Sequence, residues 1–177
     1  MSLNAEKTKY DNELSVLINK SICEVSYFEI NYGEPNYDLG DHHSLDYGIQ
    51  IEDHNGDTYY MVWDSQYYQF DLKFKRGHII NEFSSEPQIQ KHIVSKSIYW
   101  INRINQKIKS IESYWSYVSH GNFKKTYYPQ DIEISFENEL NVIISALEIR
   151  SDGTVNSMAD HVSLFFDSET ALRYGAK

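Results

Sequence analysis

Ile18-Asn19, Ile22, Val25 and Phe28 recur as Ile104-Asn105, Ile108, Ile111 and Tyr114, always 86 residues later. Further on, Ile49, Ile51, Asn55, Tyr59 and Met61 recur as Ile132, Ile134, Asn138, Val142 and Ile144, at an offset of 83. Tyr68–Phe74 then has a counterpart in Asp160–Phe166. A repeat this long is not a solenoid unit. It predicts two similar halves, residues 1–83 and 84–177, packed as one globular unit. With 177 residues the chain has room for both around a shared core.

The first half supplies the pattern. Leu14, Leu17 and Ile18 form an apolar stripe at helical spacing over residues 5–20, and Asn19 suits the left-handed stop. Residues from Ile22 to Tyr32 turn β-branched and aromatic, as a strand does. Residues 33–44, rich in Gly, Pro and Asp, predict a loop. Gly48–Asp53 and Thr58–Trp63 flank His54-Asn55-Gly56-Asp57, a hairpin signal because Asn and Gly accept positive φ. Tyr67–Phe74 predicts the next strand, and Ile79–Phe83 a short further one. The fold expected is α+β, each half a helix followed by an antiparallel β-meander.

The second half is ambiguous at one place. Val94, Ile98, Ile101, Ile104, Ile108, Ile111, Trp115 and Val118 keep helical spacing throughout, which alone predicts one long helix. The repeat instead divides it into a helix near 88–105 and a strand near 107–118. Asp167-Ser168 predicts a capped short helix through Tyr174, stopped by Gly175.

Composition narrows function by exclusion. There are 26 acidic and 16 basic residues, a net charge of −10. Duplex nucleic acid needs basic residues against its phosphates, so it is not an expected partner. A basic protein is. No segment is apolar for long enough to span a membrane, and the start has no apolar leader core, which points to the cytoplasm. Cys23 is the only cysteine, so no internal disulfide or multi-thiolate zinc site can form. Its strand setting favours a buried structural role.

No glycine-rich phosphate loop, serine elbow or zincin histidine pair is present. Asp53, Asn55, Asp57 and Asp64 imitate a calcium loop but lack its glycine, and they sit on a hairpin. Asp38, Asp41, His42, His43 and Asp46 are metal-ligand types, though adjacent extended histidines face opposite ways. No metal or other cofactor is therefore expected. Among strand carboxylates, Glu24, Glu29, Glu133 and Glu148 are candidates for acid–base work, and an outward position is the simpler expectation for each. Lys73, Lys75 and Arg76, then Arg103, Lys107 and Lys109, then Lys124 and Lys125, form weak basic groups that could suit single-stranded nucleic acid. The acidic surplus makes this a minor reading.

The 15 tyrosines stand out. Tyr offers rigid contact area with a polar tip. The pairs Tyr59-Tyr60 and Tyr67-Tyr68 must each put one ring on either face of a strand. The partner-binding residues expected are Tyr37, Asp38, Asp41 and Asp46 of the loop, with Tyr59 and Tyr60 beside the hairpin.

One further run carries a resemblance. Trp100-Ile101 leads to Ile108–Trp115; Tyr128-Pro129 enters Ile132–Asn138; Asp160–Phe166 precedes the acidic-capped helix. Residues 95–175 resemble small uncharacterised bacterial α+β proteins, some grouped with immunity proteins of toxin systems. That resemblance implies inhibition by covering a surface, and it brings no catalytic motif. Two function classes remain open. One is a non-enzymatic cytoplasmic binding protein, such as an immunity-type inhibitor of a basic partner. The other is an enzyme or carrier for a small polar ligand in a Tyr-lined cleft between the halves.

Overall fold

The computed structural model describes residues 3–83, 88–121, 124–150, 152–157 and 159–177. Helix α1 (Leu3–Leu14) runs into a 3-10 turn at Ser15–Leu17. The first half then forms β1 (Ile22–Ile30), β2 (His43–Leu45), β3 (Gly48–Asp53), β4 (Thr58–Asp64) and β5 (Asp71–Arg76). After a 3-10 turn at Ile79–Phe83 come β6 (Ile89–Ile93), β7 (Ile108–His120), β8 (Lys124–Phe136) and β9 (Asn141–Ser145). The chain finishes with β10 (Leu147–Ile149), β11 (Val155–Ser157), β12 (Val162–Phe165) and helix α2 (Ser168–Arg173). The class is α+β, with two five-stranded antiparallel sheets ordered β5-β4-β3-β1-β6 and β2-β12-β9-β8-β7. Among the described residues no helix is long and apolar enough to cross a membrane.

The registers of the two sheets coincide. Ile51 pairs with Val25 and Tyr59, as Ile134 pairs with Ile111 and Val142. The irregularity between Ile22 and Glu24 returns between Ile108 and Ser110. Where the halves meet, the contacts are reciprocal. Asn19 N–H donates to Ile108 O at 2.9 Å, and Asn105 N–H donates to Ile22 O at 2.8 Å. Both asparagines are left-handed, with φ of 68° and 64°, a conformation Asn tolerates better than most residues. Ser21 bridges Lys107 between these bonds. The last strands match differently from the sequence expectation. Val62 pairs with Lys73 as Ser145 pairs with Ser163, so the partner of Phe74 in the repeat is Leu164 and not Phe166.

Several expectations need correction. The second half is not led by a helix. Residues near 88–105 form β6 and then a chain of turns, with one-turn bonds such as Ile104 N–H to Trp100 O at 3.0 Å. The apolar stripe failed there because Ile98 and Ile101 point to solvent, while Val94 and Trp100 are buried. Residues 108–118 are strand, so the long helix is absent. The loop 33–44 contains the start of β2, and Ile79–Phe83 is a 3-10 turn. The sheets also exchange strands across the expected 83/84 division. β2, from the first half, pairs with β12; β6, beyond residue 84, pairs with β1.

One core joins both sheets: Val25, Tyr27, Ile49, Ile51 and Met61 with Ile108, Ile132, Ile134, Ile144 and Leu164, and Tyr10, Leu14 and Leu17 from the N-terminal helix. The opposite faces are covered too. Phe28, Tyr60 and Val62 lie against Ile79 and Phe83, and Ile143 and Phe165 lie against Ala171. Hence β4, β9 and β12 carry runs of consecutive buried residues rather than a clean alternation.

Candidate functional site

The expected partner residues do not form one face. Tyr59 and Tyr60 occupy opposite faces of β4, as a strand requires, yet both are buried. Tyr59 stacks on Phe74, while the Tyr60 hydroxyl donates to Glu82 beneath the 3-10 turn. Neither ring is free for a partner. The hairpin acids are neutralised from within the chain. Lys20 bonds Asp53 and lies 3.3 Å from Asp57, and Arg76 lies 2.6 Å from Asp57. Asp64 pairs with Lys73 at 2.9 Å. Among the described residues, no group of three or more His, Cys, Asp or Glu side chains is gathered for a metal.

The loop residues fare differently. Tyr37 is half-buried, its ring 5.0 Å from Tyr27, 5.4 Å from His43 and 5.5 Å from His92. Asp38 is exposed and accepts from Gly40 N–H at 3.0 Å. Asp41 accepts from His42 Nδ1 at 2.7 Å and from the Tyr174 hydroxyl at 3.1 Å. The bond from His42 first, with lesser help from Tyr174 and Arg173, holds its carboxyl below the usual range. Asp46 accepts from Ile30 N–H at 2.9 Å and stands 3.6 Å from His161 Nε2.

Asp46 belongs to a site that the sequence reading did not assemble. Where β2 leaves the first half to join the second sheet, a notch of about 190 Å³ opens. Glu29 of β1, Asp46, Glu148 of β10 and His161 line it, with Leu39 and Ile149 as apolar wall. The same Leu39 and Ile149 wall a second hollow of about 360 Å³, lined also by Asp41, His42, Arg150 and Tyr174. Glu29 follows Val25 and Tyr27 at strand alternation, so it points inward, and its side chain is 2% exposed. Burial pushes its carboxyl up to about 8, with the Asp46 charge adding to the effect. Glu148 is partly balanced by Arg150 at 3.4 Å and accepts from Asn156 at 2.9 Å.

Behind the notch a polar chain runs through the core. Trp100 Nε1 donates to the Tyr27 hydroxyl at 2.6 Å, and that hydroxyl bonds His43 Nδ1 at 2.8 Å. Burial holds the His43 ring down at about 4, so it stays neutral. This chain fixes β2, and with it the notch, against the first sheet. Cys23 is half-buried, and burial, then the Glu52 charge, raise its thiol. That is the reverse of an activated nucleophile.

The raised carboxyls predict a pH effect. Glu29 is neutral in the folded protein up to about 8, but ionises near its ordinary 4.5 once unfolded. Asp131, buried against Ser145 and Lys177 N–H, behaves alike up to about 6. The folded state holds the extra protons, so stability falls as pH rises through these windows. Urea midpoints should drop between pH 5 and pH 9, and Glu29→Gln should flatten the upper part. A gain for the variant of about 1–3 kcal/mol at pH 9 is expected. Parallel curves for the two proteins would contradict it.

No family model matches the chain, and comparison with curated proteins and with solved structures gave no match either.

Proposed function

We propose that this is a non-enzymatic binding protein of the bacterial cytoplasm, of the immunity-inhibitor type, whose acidic loop face takes a basic protein partner. One observation carries the reading. Glu29, Asp46 and Glu148 come from three separate segments to one notch whose walls contain no Lys or Arg among the described residues. The other concentration of acid, at the hairpin, is already paired to Lys20 and Arg76. In the notch Asp46 faces His161 and Glu29 faces His92, with only Glu148 partly balanced by Arg150, so the notch keeps acid that an external cation can pair. The shared registers support descent by internal duplication, with the exchanged β2 and loop 33–46 as the face that was added.

A small-ligand carrier is the second reading, because the notch draws its lining from β1 of one sheet and β2 of the other, with Tyr37 near enough for the Glu29 charge to act on it. The volume of the notch favours the first. About 190 Å³ falls short of the roughly 300–1,000 Å³ of ordinary ligand pockets. It suits the end of one side chain better than a whole metabolite.

Asp38 and Asp160 are exposed acids, with side chains 51% and 63% exposed. Asp38→Lys with Asp160→Lys should lower the association rate for the cognate partner by about tenfold at low salt. The deficit should shrink in high salt, as screened charges require. Stopped-flow mixing with the partner purified from the source cell measures both. An acidic partner, or unchanged rates, would sink the reading.

A further inference from the structure

Two buried acceptors border the adjoining hollows without a donor. Glu29 Oε2 accepts no hydrogen bond; His92 Nε2 stands 3.1 Å away without the alignment for one. His42 is 4% exposed, and its Nδ1 is taken by Asp41. In the neutral ring that contact makes Nδ1 the donor and Nε2 an acceptor, and Nε2 has no partner. Buried acceptors of this kind are ordinarily satisfied. Once ionised, Glu29 has no donor at Oε2, and His42 Nε2 has none either, so a donor brought in from outside would satisfy both. Beside the acids of the notch, the donor that fits is cationic.

We infer that the notch is the seat of one Arg or Lys side chain of the basic partner, its stem against Leu39 and Ile149 and its cationic end between Glu29, Asp46 and Glu148. The inference rests on the reading proposed above and gives it a chemical centre. Docking is coupled to a proton. The groups facing Glu29 are His92 from β6, Tyr32, Tyr37 and Asp46 from the connection between β1 and β3, Glu148 from β10 (itself paired with Arg150), and His161 before β12. Without a ligand, burial and Asp46 keep Glu29 protonated near neutral pH. An arriving guanidinium favours the carboxylate, so the proton leaves to solvent as the ion pair forms. Between the midpoint of the docked carboxyl and about 8, each docking event therefore releases up to one proton.

The probe is a blocked peptide, acetyl-Gly-Arg-Gly-amide, with acetyl-Gly-Gln-Gly-amide as control and agmatine as a free cation. Carbon-detected NMR of the glutamate carboxyls follows Glu29 directly in the intact protein. The arginine peptide should move its titration midpoint down by about one unit or more, and its affinity should rise about tenfold from pH 7 to pH 9. The glutamine peptide should do neither. Glu29→Gln should abolish the proton release and flatten the affinity profile; should that variant fold poorly, the wild-type titration alone decides. An unmoved Glu29 at saturating peptide overturns the inference. So does a response to agmatine without one to the peptide, which assigns the notch to a free cation. If the peptide titrates Glu29 but the purified partner proves acidic, the notch stands and the partner reading falls. If the partner is basic and slowed by reversal at Asp38, while Glu29→Gln binds it as wild type does at every pH, the reading stands and the notch falls.

Discussion

Gly48→Ala should leave little folded protein. Gly48 opens β3, and a Cβ built on it would lie 2.2 Å from Met61 O and 3.2 Å from both Met61 C and Val62 Cα. These are backbone atoms, so no side chain can swing aside. The strand cannot yield either. Gly48 is held between Phe28 of β1 and Val62 of β4, and the Ile49–Met61 pair beside it is fully buried. Relief would need the sheet to part where β3 joins its neighbours. Overpacking costs typically 1–3 kcal/mol where side chains can adjust, so a backbone clash should cost about 4 kcal/mol or more. Circular dichroism and urea melts measure it. A variant within about 0.5 kcal/mol of wild type would show that β3 and β4 separate easily.

The second large effect is expected at Trp100. This side chain is 1% exposed and lies in the core that both sheets share. Its ring meets Phe166 edge-on at 5.6 Å, and its Nε1 holds the Tyr27 hydroxyl. Trp100→Ala removes a large apolar volume and one end of the polar chain to His43. A loss of about 4 kcal/mol is expected, within the usual range for a buried tryptophan. Trp100→Phe keeps most of the volume and should cost about 1–2 kcal/mol, chiefly the bond to Tyr27. Its amides in β2 should also exchange faster, because Tyr27 would then hold His43 less firmly. Equal stability of the two variants would mean that packing at this position matters less than its burial suggests.

The sequence spoke clearly wherever local chemistry and tertiary packing agree. Ile49 and Ile51, against Tyr59 and Met61, alternate around an Asn-Gly turn, and the hairpin lies where they predict it. The repeat located Asn19 and Asn105, and both adopt the left-handed conformation. It misled at 88–105, where Val94, Ile98, Ile101 and Ile104 keep helical spacing but do not share one buried face. β6 exists because β1 offers it an open edge, and no local pattern announces such an edge.

The site was legible only in fragments. The sequence marks Asp46 in the loop and offers Glu29 and Glu148 as strand acids that face outward. Glu29 does not face outward, and its spacing from Val25 and Tyr27 already held that information. That Glu148 and His161 lie beside it depends on the route of β2, which needs the whole tertiary fold. Tyr67-Tyr68 lie before β5 (Asp71–Arg76) and not on the expected strand, and the pair Tyr59-Tyr60 misled for a related reason. A strand gives each ring its own face, but here both faces of β4 are covered, one by the core and one by Ile79 and Phe83.

The exchange of β2 into the second sheet also sets an order of events. Ser44 pairs with Ser163, so the notch needs a closure across most of the chain. A nascent chain that has made Glu29 and Asp46 holds two of the three carboxylates and no cup. Glu148 and His161 must be synthesised, and β12 must dock, before the acids converge. Incomplete products therefore have no such notch. The partner recognition proposed for this face would then be in effect a proofread property, offered only once the chain has closed.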